Sequence, residues 1–454
     1  MLFPVQDVME QYSLWKLMIH NNVKIHKELP LWNPWYFSGH PFVSNLLSSM
    51  FYPINIVYII FNPDFAFNYV FMFDIFLAGL FTYFFCRQIG LEEDSSVLSS
   101  ITFMFSGYFI DHIFAGHLAN IDAIIWMPAS FWMTEVLIKE KKIRYIIFLS
   151  FFLTMQVLAG HIQHAFYSNI ALFIYFIYRN LQIYKSNKNL EEIKNNFLNF
   201  FSSIIIFILL SSIQLLPSFE FLFYSVRSRG LPFDEASLFS FPPYQIIGLV
   251  LPEFFGSPID QSYWGGRNFF ELTAYVSVTG FLLAIFSIIF NKNKYTKIFL
   301  FLSVFSILFA FGRYSPLYHF LYKYVPGFNL FRIPSTTLFI YIFSISILSG
   351  FGFSFLFYKK NKESKLYLKR VKKILILVFL LSVTSIIILS FFKEKMFELG
   401  EKIIIKKYEI HSKNNVLKEK EYYFSKISLS YKHIIESLIV FSFFLFLFLS
   451  SLDL

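Results

Sequence analysis

The chain has 454 residues, of which 56% are hydrophobic and only 15% are charged. This composition excludes an ordinary soluble protein, and its apolar runs approach the roughly 20 residues that a helix needs to cross a bilayer. The net charge of +10 does not indicate nucleic-acid binding, because Lys and Arg cluster between apolar runs as the positive-inside rule describes. The single cysteine, Cys86, excludes an intramolecular disulfide. We therefore expect an all-α polytopic membrane protein whose main partner is the lipid bilayer.

An unusual segment near the N-terminus, residues 29–53, combines prolines with large aromatic side chains. It reads LPLWNPWYFSGHPFVSNLLSSMFYP. Pro30 and Pro34 fix φ and disfavour helix in the residues before them. Trp32 and Tyr52 carry amphipathic rings that suit the headgroup layer of a bilayer. We expect a structured loop on the membrane surface, followed by a short helix that dips into the membrane.

The apolar runs after this segment predict about eleven membrane-spanning helices. They lie at about residues 65–87, 95–109, 121–138, 145–159, 165–178, 197–216, 272–290, 298–311, 335–357, 374–392 and 433–451. Four short basic loops, at 139–144, 179–194, 292–297 and 359–373, then fall on one side, which the positive-inside rule assigns to the cytoplasm. The loops rich in aromatic residues, glycine, proline and histidine fall on the opposite, extracytoplasmic side.

This pattern divides the chain into three parts. A transmembrane domain covers residues 1–392 and starts with an external loop at 1–65. A small charged extracytoplasmic segment follows at 393–432, and a C-terminal transmembrane helix occupies 433–454. Because the alternation of sides places the N-terminus outside without a signal peptide, we expect that one span is missing before Met1.

Several motifs in this order resemble those of the YfhO-type family of bacterial membrane proteins, which is placed in the GT-C glycosyltransferase superfamily. The most specific motif is LPLWNPWYFSGHPFVSNLLSSMFYPINIVY. It is followed by FSGYFIDHIFAGHLANIDAIIWMP, LAGHIQHAFY, PPYQIIGLVLPEFFG and GRYSPLYHFLYKYVPGFNLFRIPSTTLF. The similarity covers roughly residues 1–357, although the later motifs are not specific when taken singly.

The resemblance implies a fold and a function. The fold is a GT-C-like bundle of about 11 transmembrane helices with extracytoplasmic interfacial loops and short re-entrant helices. The function is transfer of a sugar from a polyprenyl-phosphate carrier to a cell-envelope glycan or lipid acceptor. The location is the bacterial cytoplasmic (inner) membrane, with the active face outside. In the family an acidic residue follows a first transmembrane helix, and Asp7 matches that residue although the helix is absent here.

Glycosyl transfer needs a base for the acceptor hydroxyl and cationic groups for the departing phosphate. The resemblance makes Asp7 the candidate base, and the alternative is that Asp7 caps a helix. Asp111 and Asp122 lie at the predicted outer ends of helices. Either could orient the acceptor or bind a cation, and the alternative for both is again helix capping. No cofactor is assigned, and a divalent cation is left open.

Arg332 in FNLFRIPS is the first candidate for binding the donor, because its planar guanidinium matches phosphate bidentately. The alternative is an arginine that anchors a helix at the headgroups. Arg313, Arg267, Arg227 and Arg229 offer weaker versions of the same interpretation. Further candidate substrate-binding residues on the outer side are Trp32, Asn33, His40, Asn45, Tyr52, His117, His161 and Gln163.

The outer histidines allow two interpretations. His161 and His164 are three residues apart, a spacing that can place both on one helical face. A metal site there is one interpretation. No recognised zinc pattern is present, so hydrogen bonding at polar helix ends is the alternative, and sugar hydroxyls are suitable partners for such groups.

Two other classes of function stay open. A transporter that flips a lipid-linked sugar or exports an envelope polymer would need polar groups along a path through the bilayer, for which Asp74 and Gln156 are candidates. A non-catalytic membrane scaffold is the third possibility, and the missing first helix is its main support.

Overall fold

The computed structural model describes residues 7–36, 38–291, 293–358, 362–408 and 416–451. Parts of the predicted first segment, basic loops, charged segment and last span lie outside the described residues, at 1–6, 37, 292, 359–361, 409–415 and 452–454. The α-helices are α1 (Ser13–Asn21), α2 (Ile56–Ile60), α3 (Pro63–Gln88), α4 (Glu93–Met104), α5 (Gly107–Ala115), α6 (Leu118–Ile124), α7 (Trp126–Glu140), α8 (Ile143–Leu158), α9 (Ile162–Asn187), α10 (Leu190–Leu222), α11 (Phe233–Ala236), α12 (Phe269–Leu272), α13 (Val278–Phe290), α14 (Lys294–Ala310), α15 (Pro316–Tyr324), α16 (Leu338–Tyr358), α17 (Lys362–Phe391), α18 (Lys393–Tyr408) and α19 (Val416–Ser451).

Seven helical segments of the described chain are long and apolar enough to cross a membrane. They are Pro63–Gln88, Glu93–Ala115, Leu118–Glu140, Leu190–Leu222, Pro334–Tyr358, Lys372–Phe391 and Phe424–Ser450. Two shorter apolar helices, α8 and α13, accompany them. The prediction of an all-α polytopic membrane protein is therefore confirmed.

The helix α16 forms the centre of the bundle. It packs against α4, α13 and α14, and almost all of its residues between Leu338 and Ser354 are buried. Two glycines permit this close packing, because a Cβ on Gly350 would collide with Ser99 of α4 and one on Gly352 with the backbone of α13. The helix therefore has no polar face, as expected for an element surrounded by other helices.

The second spanning segment is broken where α4 ends and α5 begins. At this break the amide of Gly107 donates to the carbonyl oxygen of Tyr275 at 2.8 Å. The extended stretch before α13 therefore satisfies a backbone donor that a continuous helix would have bonded internally. The break gives α5, which carries Tyr108 and His112, its own direction at one end of the bundle.

Contacts between loops show which loops share an end of the bundle. At one end Lys141 contacts Glu192 at 2.7 Å, and the Tyr358 hydroxyl donates to Asp94 at 2.7 Å. The Tyr178 hydroxyl reaches the carbonyl oxygen of residue 294 at 2.9 Å at the same end. The described parts of the short basic loops thus meet at one end, which we call the basic end. The loops rich in histidine and aromatic residues meet at the other, which we call the aromatic end.

The N-terminal segment folds back onto the aromatic end. Residues 8–26 form one continuous helix, in which π-helical turns at Val8–Tyr12 and Asn22–His26 lie on either side of α1. It is followed by a two-stranded antiparallel ladder, β1 (Trp32–Asn33) and β2 (His40–Pro41). Lys16 is fully buried and donates to the Ser48 carbonyl, the Ser49 hydroxyl and the Asn55 amide oxygen at 3.1, 2.6 and 2.8 Å. These bonds hold the predicted loop at 29–53 in one structure against α1.

Residues 432 and 433, at the predicted boundary between the charged segment and the last span, both lie inside the helix α19. This helix contacts the long loop before α12. His433 Nε2 lies 2.6 Å from Asp260 Oδ2, and Ser430 donates to the Ser262 carbonyl at 3.0 Å. The N-terminal part of α19 is therefore tied to the aromatic end.

Candidate functional site

The site is built from segments that are distant in sequence and end together at the aromatic end. Asp7 lies at the start of the N-terminal helix with helical φ and ψ, and its side chain makes no capping hydrogen bond. Its Oδ2 instead lies 3.6 Å from Nε2 of His117. His117 follows Gly116, whose φ of +81° ends α5 in the left-handed conformation that glycine adopts most readily. The predicted candidates Asp7 and His117 are thus brought together across 110 residues.

Glu271 and His112 complete this cluster. Oε1 of Glu271 lies 3.9 Å from Nδ1 of His117, and its Oε2 lies 4.0 Å from Nε2 of His112. Glu271 is 5% exposed and His112 is fully buried. We call Asp7, His112, His117 and Glu271 the carboxylate–histidine cluster. Glu271 was not among the predicted residues, and the only sequence signal for it is an isolated acid in the aromatic run YWGGRNFFELTAY.

A chain of ring contacts extends the cluster inward. Tyr108 stacks on His112 with ring centroids 3.9 Å apart, and its hydroxyl lies 3.0 Å from Nε2 of His164. Nδ1 of His164 lies 2.7 Å from Nδ1 of His161. Because the His164 nitrogens already face Tyr108 and His161, this geometry favours the hydrogen-bonding interpretation of the pair over the metal site.

Two arginines lie beside the cluster. Gln163 donates through its amide to the Arg332 carbonyl oxygen, which holds the loop before α16 against the start of α9. The charge of Arg332 acts on Glu271 and on Arg227. Arg227, which lies just after α10, was only a weak candidate from the sequence. Arg227 donates to the Leu330 carbonyl at 3.5 Å, which brings it to the loop that carries Arg332, and guanidinium groups suit a phosphate.

The electrostatics of the cluster follow from burial. Burial raises the pKa of Glu271 to about 7; the positive charge of Arg332 opposes the shift, and the negative charge of Asp7 adds to it. Burial and the neighbouring Glu10 also raise the pKa of Asp7. Burial lowers the pKa of His117 to about 4 and that of His161 to about 3. The cluster therefore holds neutral imidazoles beside carboxyl groups that titrate above their ordinary range, which is a pattern of functional sites.

The other two acidic candidates lie elsewhere. Asp122 is 2% exposed and contacts Asp74 of α3 inside the bundle. Asp111 lies on α5 next to Thr273. These contacts of Asp122 and Asp111 are with residues outside the carboxylate–histidine cluster, so neither is counted as part of it.

The remaining arginine candidates are separate from the cluster. Arg313 donates to the Asp234 carbonyl at 3.3 Å and to the Ser237 hydroxyl at 3.1 Å, so it joins the loop after α14 to α11. Arg267 is exposed in the loop before α12.

The predicted aromatic loop residues divide into packing residues and surface residues. Tyr52 is 2% exposed and its hydroxyl accepts from the Trp126 indole at 2.9 Å. Asn33 is also buried and accepts from the Trp35 amide at 2.9 Å. Both side chains therefore stabilise the loop itself. Asn45 precedes a short 3₁₀ turn, Leu46–Ser48, and its carbonyl oxygen accepts from Ser48.

A surface groove of about 520 Å³ lies between α1 and the ladder. Trp35 and Tyr36 line it on one side, and Leu14, Leu17 and Met18 line it on the other. Trp35 is 83% exposed and Trp32 is 54% exposed, while His40 is only partly buried opposite Asn33 in the ladder. The groove places apolar and aromatic surface next to the segment that carries Asp7.

Comparison of the chain with protein-family models, with curated proteins and with solved structures gives no match in any of the three. The contacts of the cluster and the motifs of the sequence are therefore the observations from which a function is inferred.

Proposed function

We propose that this protein is a membrane glycosyltransferase of the YfhO type, with a GT-C-like fold, which transfers a sugar from a polyprenyl-phosphate carrier to an acceptor of the bacterial cell envelope. The observation that carries the proposal is the approach of Asp7 to His117 and Glu271, with Arg332 nearby. A base and a cationic group at one end of a membrane bundle are the two groups that this reaction needs.

The proposed topology follows from the helices and their loops. The seven long segments together with α8, α9, α13 and α14 would make eleven spans. The positive-inside rule assigns the basic end to the cytoplasm. The carboxylate–histidine cluster would then lie on the outer face of the cytoplasmic membrane, where the head group of a lipid-linked sugar is accessible.

In the proposed reaction Asp7 takes the proton of the acceptor hydroxyl. The hydroxyl oxygen attacks the anomeric carbon of the sugar, and the bond from that carbon to the phosphate oxygen breaks. The electron pair of this bond leaves with the polyprenyl phosphate, whose charge Arg332 and Arg227 stabilise. Attack from the side opposite the phosphate inverts the anomeric carbon.

Mass spectrometry of envelope lipids and glycans tests this proposal. In cells that lack the protein, we expect a polyprenyl-phosphate sugar to accumulate and one glycan to lose the mass of one sugar. Wild type should reverse both changes, whereas Asp7→Asn at equal abundance in the membrane should reverse neither. Asp64→Asn is the matched control, because Asp64 is an exposed acid at the start of α3. Full rescue by Asp7→Asn, or a deletion without any change in lipids or glycans, would overturn the proposal.

One observation favours a transporter as the second candidate. Asp74 and Gln156 are both fully buried, and Asp74 contacts Asp122 on α6. Polar groups inside a bundle are expected along a substrate path. Reaction of the purified protein with donor and acceptor in detergent separates the two candidates, because a transferase forms product without a bilayer and a transporter does not.

A further inference from the structure

We infer that His112, His117 and Glu271 form a zinc site with three protein ligands. The inference does not depend on the proposed transferase activity, since bound metal is measured without turnover. Each of the three residues offers one ligand atom, and these atoms all lie within 4.8 Å of one another. The two oxygens of Glu271 face different histidines, at 3.9 and 4.0 Å.

The distances suit an ion between the three side chains. Two ligands of a tetrahedral Zn²⁺ with bonds of about 2.0–2.1 Å are roughly 3.4 Å apart. In the cluster two pairs lie 3.9 and 4.0 Å apart and every pair of ligand atoms lies within 4.8 Å, so these atoms are up to roughly 1.4 Å farther apart than in a loaded site. Closing on a metal would therefore need these side chains to move toward one another by roughly an ångström.

The ligand atoms have little else to bind. Within the described part of the chain, both nitrogens of His112, Nδ1 of His117 and Oε2 of Glu271 are buried without a hydrogen-bond partner. A buried polar group without a partner costs about 1–3 kcal/mol. Packing also restricts the rings, because Tyr108 stacks on His112 and the His112 and His117 centroids lie 4.9 Å apart at 88°. Unpartnered atoms on rings in fixed positions point to a ligand.

Asp7 occupies the position of a residue that orients a ligand. Its Oδ2 lies 3.6 Å from Nε2 of His117, which is the nitrogen that does not face Glu271. Histidines that bind a metal commonly donate their other N–H to a carboxylate. Nδ1 of His117 would thus bind the metal, and Oδ2 of Asp7 would fix the orientation of the ring in addition to the role of base proposed for this residue.

The donor set selects the metal. Two imidazoles and one carboxylate suit Zn²⁺, whereas Mg²⁺ and Ca²⁺ prefer oxygen ligands alone. Three protein ligands leave a fourth position for water or a substrate oxygen, as in catalytic zinc sites. Zinc bound there would supply a Lewis acid next to Arg332.

Metal analysis of the full chain purified in detergent tests the inference. The protein is stripped with a chelator, loaded with Zn²⁺ or with Mg²⁺, passed through a desalting column and analysed by mass spectrometry. We expect about one Zn²⁺ and no retained Mg²⁺ per chain. Glu271→Gln and His117→Gln should retain less than a tenth of the wild-type zinc. His319→Gln should retain all of it, because His319 lies on α15 and its Nδ1 contacts the Ser315 carbonyl oxygen.

The variant Asp7→Asn distinguishes zinc binding from the proposed transferase activity. We expect this variant to bind zinc with an affinity about 10–100-fold lower and to retain it at saturating metal, while sugar transfer is lost. Thermal unfolding of each variant without metal shows whether it is folded. Zinc retention by folded Glu271→Gln equal to wild type, or wild type that retains no zinc after loading, would overturn the inference whatever the result of the transfer assay.

Discussion

The two ends of the bundle each hold a buried glutamate, and the partners of the two glutamates differ. At the basic end Glu135 of α7 is fully buried. Arg179 donates to both of its oxygens at 2.8 Å, and the hydroxyls of Tyr175 and Tyr295 donate to it at 2.7 Å. At the aromatic end Glu271 faces two histidines at 3.9 and 4.0 Å.

The difference indicates that Glu135 stabilises the fold, whereas Glu271 is suited to bind a ligand. The Glu135 network joins α7, α9 and α14, and every acceptor oxygen has a donor from within the protein. A buried charge pair of this kind is sensitive to loss of one partner. The carboxylate–histidine cluster leaves its polar atoms available to something else, so it contributes little to folding and is suited to bind a ligand. Substitutions at the basic end should therefore lower stability, whereas substitutions in the cluster at the aromatic end should lower activity.

The largest effect on stability is expected for Arg179→Met. It leaves the Glu135 carboxylate buried without its counter-charge, which should lower the free energy of unfolding by about 3–5 kcal/mol. Thermal unfolding in detergent measures the change. The double variant Glu135→Gln/Arg179→Met should recover most of the loss, because it removes the buried charge, its amide oxygen still accepts from one tyrosine, and its amide N–H donates to the hydroxyl oxygen of the other. Wild-type stability of Arg179→Met would contradict the structural role of this end.

The second prediction is that Arg332→Ala reduces activity without changing stability. Arg332 is exposed, so Arg332→Ala should leave the melting temperature unchanged. Loss of a charge-assisted contact with the donor phosphate costs about 1.5–3 kcal/mol, and kcat/KM should then fall roughly 10–100-fold. Lys323→Met, which removes an exposed cation from α15 at the same end, is the control. Equal losses in both variants would indicate that only the net charge is important.

A smaller change in stability is expected for Lys16→Met. The substitution removes three hydrogen bonds that hold the N-terminal segment and leaves buried acceptors without a donor, which costs about 1–3 kcal/mol. Unfolding of this variant is compared with that of Lys24→Met, since Lys24 is exposed. The site should also lose activity, because this segment carries Asp7. Identical unfolding of both variants would show that Lys16 does not anchor the segment.

The smallest effect is expected at the surface of the aromatic loop. Trp35→Ala should change the free energy of unfolding by less than about 0.5 kcal/mol, because the side chain is 83% exposed. Tyr52→Phe should cost about 1 kcal/mol, since the Trp126 indole loses its acceptor. Thermal unfolding of the two variants in the same detergent provides the comparison. A larger loss for Trp35→Ala would mean that the loop packs differently.

The membrane architecture could be predicted from the sequence because a bilayer imposes a minimum length on apolar helices. The basic loops could be grouped for a similar reason, since their charges reflect the side of the membrane. Glycines 350 and 352 lie in an apolar run, but their role in packing depends on neighbours in other helices, which no local pattern specifies.

The site could be predicted only in part. Asp7 and His117 were named from motifs, and the structure brings them together. Glu271 and His112 were missed as site residues, because their importance comes from contacts across more than 150 residues of sequence. Tyr52 was named for its amphipathic ring, yet its hydroxyl faces Trp126 in the core. The sequence identifies side chains whose chemistry suits a site, and the packing of the folded chain determines which of these side chains come into contact.

The most direct test of the contrast between the two ends measures sugar transfer and thermal unfolding in parallel for Glu271→Gln and Glu135→Gln. Both substitutions replace a buried carboxylate by an amide of the same shape. We expect Glu271→Gln to lose transfer at least about 100-fold, because Glu271 faces His117, which lies beside the proposed base Asp7, with a melting temperature close to wild type. Glu135→Gln should unfold at a clearly lower temperature and still transfer sugar while it is folded. Full transfer by Glu271→Gln, with unfolding like that of the wild type, would contradict the account.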